Sequence, residues 1–327
     1  MDPTQSRALP RIAWGTLLYT LPVILWGAYV RATGSGAGCG DHWPLCNGVV
    51  VPRDVTTQTA IEFTHRTTSG LALLATLLLL WAAFRWSQKG APVRKWAAWS
   101  LFFMVMEAVI GAGLVLFQLV ADNPSMARAW AMGAHLVNTF LLLGALLGTA
   151  LLASGARAPR FRRQGLLGVS FWVAVVGMCV LGVSGGIAAL GDTIFRPESL
   201  AEASAQHFAE DSPLLLRLRL YHPLIAIVVG LLVVGAAWLA AGVRPSIDQR
   251  RWAQVVTGLY VAQILAGLVN VVLLAPVWMQ LVHLLLADLI WLAFVRAGLL
   301  ALSAQPAEGA DTKAAAETPV PASGANY

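Results

Sequence analysis

Four of the six histidines, His65, His135, His222 and His283, fall just inside the start of every second long apolar stretch. Apolar stretches that cross a bilayer alternate in direction, so these four imidazoles lie at a similar depth on one side. Histidine is costly in hydrocarbon and rare there unless it pairs or binds something. A single membrane histidine is most often hydrogen-bonded helix glue, but neutral imidazole is also a common axial ligand of heme iron. Four at matched depth, two per half of the chain, predict two heme sites. Glu62 precedes His65 by three residues, which puts both on one helix face. A carboxylate there can move a proton or stabilise a cationic intermediate over the porphyrin edge. It can equally be a helix-end carboxylate, favoured by the helix N-terminus and paired with Arg66 at i+4. Arg66 can alternatively hold a heme propionate, since guanidinium suits carboxylates.

The elements that must position these side chains are membrane helices. The chain is 58% hydrophobic and 12% charged, about half the charged share of a soluble domain, roughly 25%. Crossing the hydrocarbon takes about 20 apolar residues in a helix. Eight such runs cover 12–30, 58–84, 95–118, 129–153, 165–190, 215–241, 252–274 and 279–302. None alternates with period two, which argues against a membrane β-barrel. The first run has basic residues before it, as a signal peptide does. Its length and its place in the alternating charge pattern favour a retained helix.

Charge placement orients the bundle. With the N-terminus in the cytoplasm, inner segments carry Arg7, Arg11, Arg85, Lys89, Arg94, Lys95, Arg157, Arg160, Arg162, Arg163, Arg244, Arg250, Arg251, Arg296 and Lys313. Outer loops hold acids such as Asp41, Asp54, Asp122, Asp192, Glu198, Glu202, Glu210 and Asp211. This is a positive-inside pattern with both termini cytoplasmic. The net charge of +6 thus reports topology, and basic residues spread over short loops exclude a nucleic-acid patch.

The chain also repeats. Aligning His65 with His222, a shift of 157, brings Trp81 onto Trp238; Glu107 to Gly111 falls on Gln263 to Gly267 at a shift of 156. His135 meets His283 at 148, a difference that shorter late loops absorb. The fold class is an all-α membrane protein, with eight transmembrane helices as two pseudo-symmetric four-helix bundles. The halves are 1–153 and 165–302, with 303–327, rich in Ala, Pro and small polar residues, a disordered cytoplasmic tail. Halves related by an axis along the membrane normal also occur in transporters, which makes a transporter one alternative.

The outer loop from Gly34 to Gly48 is dense in glycine and turn residues and reads as a structured loop. Cys39 and Cys46 lie in it, outside the cytoplasm, where disulfides persist. Seven residues apart, they favour a small disulfide ring over free thiols or a metal pair. Cys179, within the fifth run, reads as an inert core thiol; His42 and His207 read as solvated loop residues. Glu107, Asn138, Gln263, Asn270 and Asp288 lie deeper. They read as polar ties between helices, with a proton route to the site as the sharper alternative.

Several of these motifs carry a family resemblance. The run Arg-x-Thr-Gly-Ser-Gly-x-x-Cys-Gly-x-x-Trp-Pro-Leu-Cys, from Arg31 to Cys46, resembles the first outer loop of heme A synthases. Ile61-Glu62-x-x-His65-Arg66 resembles that family's helix 2 motif. Ala134-His135-Leu136, Tyr221-His222 and Val282-His283 fall where its other histidines do, and Leu190 to Phe195 looks like the third outer loop of one subgroup. The resemblance covers about 12–302. It implies an enzyme of the bacterial cell membrane that oxidises the C8 methyl of heme O to a formyl group, giving heme A for terminal oxidases. His65 and His135 would then hold the substrate heme O, and His222 and His283 a heme b cofactor. Glu62 would be the catalytic carboxylate, and Cys39–Cys46 a disulfide of structural or redox importance. Partners implied are heme O synthase as the donor of substrate, an electron donor or acceptor, the lipid bilayer and further copies of the chain.

Two features depart from the family pattern. A second cysteine pair, present in the third outer loop of some members, is missing. Pro223 follows His222 where members often have arginine; proline lacks the N–H and restricts the residue before it, so the sixth helix is expected to kink at His222. The main rival is a di-heme b membrane cytochrome that only relays electrons. That reading leaves Glu62 and the cysteine loop without a purpose.

Overall fold

A computed structural model describes residues 3–209 and 212–303. These residues fold as helices: α1 (Pro3–Ala32), α2 (Thr57–Trp86), α3 (Pro92–Leu116), α4 (Met126–Ala153), α5 (Gly165–Ile194), α6 (Leu200–Phe208), α7 (Leu214–Arg219), α8 (Tyr221–Val243), α9 (Ile247–Val272) and α10 (Val277–Ser303). Eight spans are long and apolar enough to cross a membrane, with α7 and α8 together forming the sixth, Leu214–Val243. The helix starts follow local chemistry. Thr56, Ser125 and Ser246 each accept a bond from a backbone N–H of the first turn, at 3.1, 3.2 and 3.0 Å, which satisfies donors that the helix leaves open. Within the spans Thr16, Thr76 and Thr149 turn their hydroxyls back onto the carbonyl four residues earlier. No polar atom of theirs is then left facing hydrocarbon.

Consecutive spans pack as neighbours: α1 on α2, α3 on α4, α5 on α8, and α9 on α10, with α4 also touching α5 and α10. The two innermost helices are α4 and α10. Across their membrane windows 67% and 56% of residues are buried, against 17% for α9. Each of them carries one of the four histidines. A continuous apolar core joins all eight spans. At its centre Phe140 of α4 stacks on Trp291 of α10 at 5.0 Å, and Phe171 of α5 on Phe294 of α10 at 5.4 Å.

The chain differs from the sequence-based expectation in three places. The stretch Leu190–Ile194, read above as loop, is the last turn of α5. The sixth span is interrupted at Leu220, ahead of His222 and not at it. Pro223 is the third residue of α8, within the first turn, where its missing N–H would have had no helical partner. The region read as polar loop between the fifth and sixth runs contains α6, and His207 belongs to it. The tail after Ser303, together with Glu210 and Asp211, lies outside the described residues.

Candidate functional site

All four histidines are half-buried and stand within the first ten residues of their spans, on α2, α4, α8 and α10. His222 and His283 face each other with ring centroids 6.4 Å apart and planes at 73°. A metal–imidazole bond of about 2 Å on each side, plus the ring radius of about 1 Å, requires a centroid spacing near 6 Å. The observed centroid spacing is close to that value, with Gln263 lying against His283 Nε2. His65 and His135 stand at corresponding places in α2 and α4, the ninth and tenth residues of their spans. Among the described residues no group of three or more His, Cys, Asp or Glu is gathered to hold a bare metal ion. Paired imidazoles suit a metal that brings its remaining ligands with it, as heme iron does.

Three of the four rings rest against a glycine on the neighbouring helix. A Cβ at Gly27 of α1 would stand 2.8 Å from His65 Cε1, one at Gly185 of α5 3.1 Å from His222 Cε1, and one at Gly267 of α9 3.2 Å from His283 Cε1. Each glycine therefore forms a slot that any larger residue would fill. The ring nitrogens are tethered unequally. Ser184 Oγ lies 2.9 Å from His222 Nδ1, which leaves Nε2 for a ligand. Gln263 Nε2 lies 3.2 Å from His283 Nε2. His65 Nδ1 and His283 Nδ1 are buried without a hydrogen-bond partner.

At the first pair the partner is charged. Glu107 of α3 places Oε2 2.5 Å from His135 Nδ1, an ion-pair contact whose angle falls short of a well-aligned hydrogen bond. Its other oxygen accepts from Asn138 Nδ2 at 2.8 Å and Thr139 Oγ1 at 3.0 Å. Asn138 Nδ2 also donates to the Phe103 carbonyl at 2.9 Å. Sequence reasoning placed Glu107 among the helix ties and so missed its contact with the histidine. The available signal was the repeat, which sets Glu107 and Gln263 in register one turn before Gly111 and Gly267.

One turn from His65, Glu62 is buried, with 3% of its surface exposed. Its Oε1 receives Arg66 Nε at 3.0 Å and Arg66 Nη2 at 2.5 Å, and its Oε2 accepts the Cys39 backbone N–H at 2.8 Å. Arg66 Nη1 donates to the His42 and Leu45 carbonyls at 2.6 and 2.7 Å. Two of the five guanidinium N–H groups thus fasten the outer loop to α2 and two hold Glu62, which leaves one for an anion such as a propionate. The loop is closed by the Cys39–Cys46 disulfide, with sulfurs 2.05 Å apart and both residues buried. His42 is exposed beside Asp41, and Cys179 is a free, half-buried thiol on α5.

The corresponding position before His222 is occupied by Arg219, paired with Asp192 at 2.5 Å. One histidine pair thus has a buried carboxylate a turn away, and the other an arginine. Arg31, the first residue of the loop motif, ties the end of α1 to both later helices. It donates to Ala189 O at 2.8 Å and Thr193 Oγ1 at 2.6 Å on α5, and to Gln280 Oε1 at 2.8 Å on α10.

Comparison with known proteins agrees with this arrangement. A protein from Thermus thermophilus named protoheme IX farnesyltransferase is 53% identical over 293 residues, which is 90% of this chain and 48% of that protein. Heme A synthases from Shouchella clausii and Bacillus mycoides are 40% and 41% identical over 113 and 112 residues, covering 34% of this chain and 37% and 36% of theirs. The chain thus spans about half the length, or less, of these relatives. The family profile described as cytochrome oxidase assembly protein matches residues 10–295. With paired membrane histidines, a disulfide-closed loop and a match running from α1 into α10, the chain belongs to the cytochrome oxidase assembly protein family.

Proposed function

We propose that the protein is a heme A synthase of the bacterial cell membrane, with both termini cytoplasmic and the disulfide loop outside. The substrate is heme O, held between His65 and His135 in an N-terminal half, residues 1–153. Oxidation of its C8 methyl to the formyl group of heme A (R–CH3 + H2O → R–CHO + 4 H+ + 4 e−) passes through the alcohol and a gem-diol that loses water, with the electrons leaving to an external oxidant. A heme b held by His222 and His283, in a C-terminal half of residues 165–302, would supply one-electron transfer to or from the substrate. Two imidazoles 6.4 Å apart, each facing a glycine slot, Gly185 and Gly267, are compatible with that group.

The observation that carries this reading is the joining of Glu62, His65 and the cysteine loop into one unit. An electron relay needs only the histidines. A buried carboxylate one turn from His65 would stand near the edge of a porphyrin held by that histidine. Its negative charge would suit stabilisation of positive charge developing at the C8 substituent, while the bonds from Arg66 and Cys39 hold the carboxylate in place. The helices around the site expose many large apolar side chains to the lipid, a suitable medium for the farnesyl tail of heme O. The name of the Thermus thermophilus relative, of which this chain matches 48%, describes attachment of a farnesyl group to protoheme IX. That supports heme O synthase as the partner that hands over the substrate, one step earlier. Pigment analysis of the purified protein tests the reading. Heme b together with heme O or heme A is the expected composition. Heme b alone at both sites would favour the electron relay, and no heme at all would favour a transporter.

A further inference from the structure

We infer that Glu107 is a positioning residue that makes His135 a stronger electron donor to iron than its counterpart His283, and so sets the oxidising site apart from the electron-transfer site. The inference rests on the heme assignment above and deepens it. The two histidines occupy corresponding helices, α4 and α10, and each receives its neighbour from the preceding helix, α3 or α9. The neighbour of His135 is a carboxylate on Nδ1. The neighbour of His283 is a neutral carboxamide whose Nε2 meets the ring at Nε2.

A carboxylate 2.5 Å from the far nitrogen of a metal-binding histidine places negative charge there and raises the basicity of the nitrogen bound to metal. Greater basicity and an added negative charge both favour ferric over ferrous iron, which is one of the levers a protein has on a heme. Glu107 is built for this. Asn138 donates to its Oε1, with the Thr139 hydroxyl, shared with the His135 carbonyl, as a second contact, and Oε2 lies against the imidazole. At the second pair the carboxamide adds no charge, and Nδ1 of His283 has no partner. That imidazole stays an ordinary neutral donor, and a heme there would have the higher potential. Methyl oxidation needs the substrate iron to hold oxidising equivalents, whereas an electron-transfer heme must give them up and take them back.

The test is a spectroelectrochemical titration of the purified, pigment-loaded protein, with the two hemes distinguished by their absorption bands. Glu107→Gln should raise the potential of the His65/His135 heme until its ferric-to-ferrous ratio at fixed potential falls at least tenfold, about 59 mV for one electron. The heme at His222/His283 should keep its potential. Thr139→Val removes one donor from the carboxylate and leaves more of its charge on His135, so it should move the same heme in the opposite direction. A purely structural role would not produce shifts of opposite sign. Glu107→Gln protein that retains both pigments with unmoved potentials would overturn the inference. If Glu107→Gln loses its pigment, an unmoved potential in Thr139→Val does so instead. Wild-type protein without two hemes would refute the functional assignment itself, a separate outcome.

Discussion

Replacing Gly27 by alanine puts one methyl group where the structure has space only for an imidazole. The new Cβ would stand 2.8 Å from His65 Cε1 and 3.0 Å from His65 Nε2. Unstrained carbon–carbon contacts begin near 3.5 Å, so the ring must retreat by about 0.7 Å. That exceeds the roughly 0.5 Å within which a ligand has to be held. Overpacking of this kind costs about 1–3 kcal/mol, equivalent to roughly 5- to 150-fold weaker binding. The helix itself does not suffer, because alanine improves on glycine in a helix interior by about 0.5–1 kcal/mol. Gly111→Ala on α3 is the control, since nothing lies within 4 Å of its Cβ position. We expect purified Gly27→Ala to lose pigment from the His65/His135 site while helix content by circular dichroism and the other pigment are preserved. Full pigment occupancy with an unchanged spectrum would refute the slot argument.

Alanine at His222 or His283 should deplete heme b and leave part of the substrate heme bound, and alanine at His65 or His135 should do the converse. Equal loss of both pigments from all four variants, in folded protein, would count against two independent sites. Cys39 and Cys46 should resist thiol labelling until the protein is reduced, as the pairing requires. Their serine variants should keep the fold, because a ring this small adds about 3 kcal/mol or less by chain entropy. Glu62→Gln should keep both hemes yet slow oxidation about 100-fold or more, stalling at heme O or the hydroxymethyl stage. Heme A formation at a near-normal rate would make Glu62 a loop anchor alone.

The spans were legible in the sequence because one variable, apolar length, governs them. The eight runs match the eight helices, with ends that differ by a few residues except at α1 and α9. The last turn of α5 was read as loop because Gly191, Asp192 and Thr193 are poor helix formers. The structure gives those polar groups partners that sequence alone does not show. Asp192 pairs with Arg219, and Thr193 bonds Ala189 O and receives Arg31, so the helix continues beyond its apolar stretch. The break falls at Leu220 and not at His222 because Pro223 has no N–H for the Arg219 carbonyl four residues earlier and its ring crowds that carbonyl. The helix α7 therefore ends there, and Pro223 sits in the first turn of α8. For Glu62 the sequence left two roles open, and the helix-end pairing with Arg66 is present. That pairing, with the Cys39 N–H, fixes the carboxylate against the loop, and the Glu62→Gln variant decides the catalytic role. Glu107 was recognised only as polar and deep. Its contact with His135 depends on the packing of α3 against α4, which residue spacing within one helix does not report.

The central claim is that this chain converts heme O to heme A. The direct measurement is turnover by the purified protein in detergent or lipid, supplied with heme O and an electron partner, with products separated by chromatography and identified by mass. The account predicts formation of the hydroxymethyl and then the formyl derivative by wild-type protein. It predicts negligible conversion by Glu62→Gln that carries the same pigments. Heme O recovered unchanged from wild-type protein with both sites loaded and the disulfide intact would contradict it.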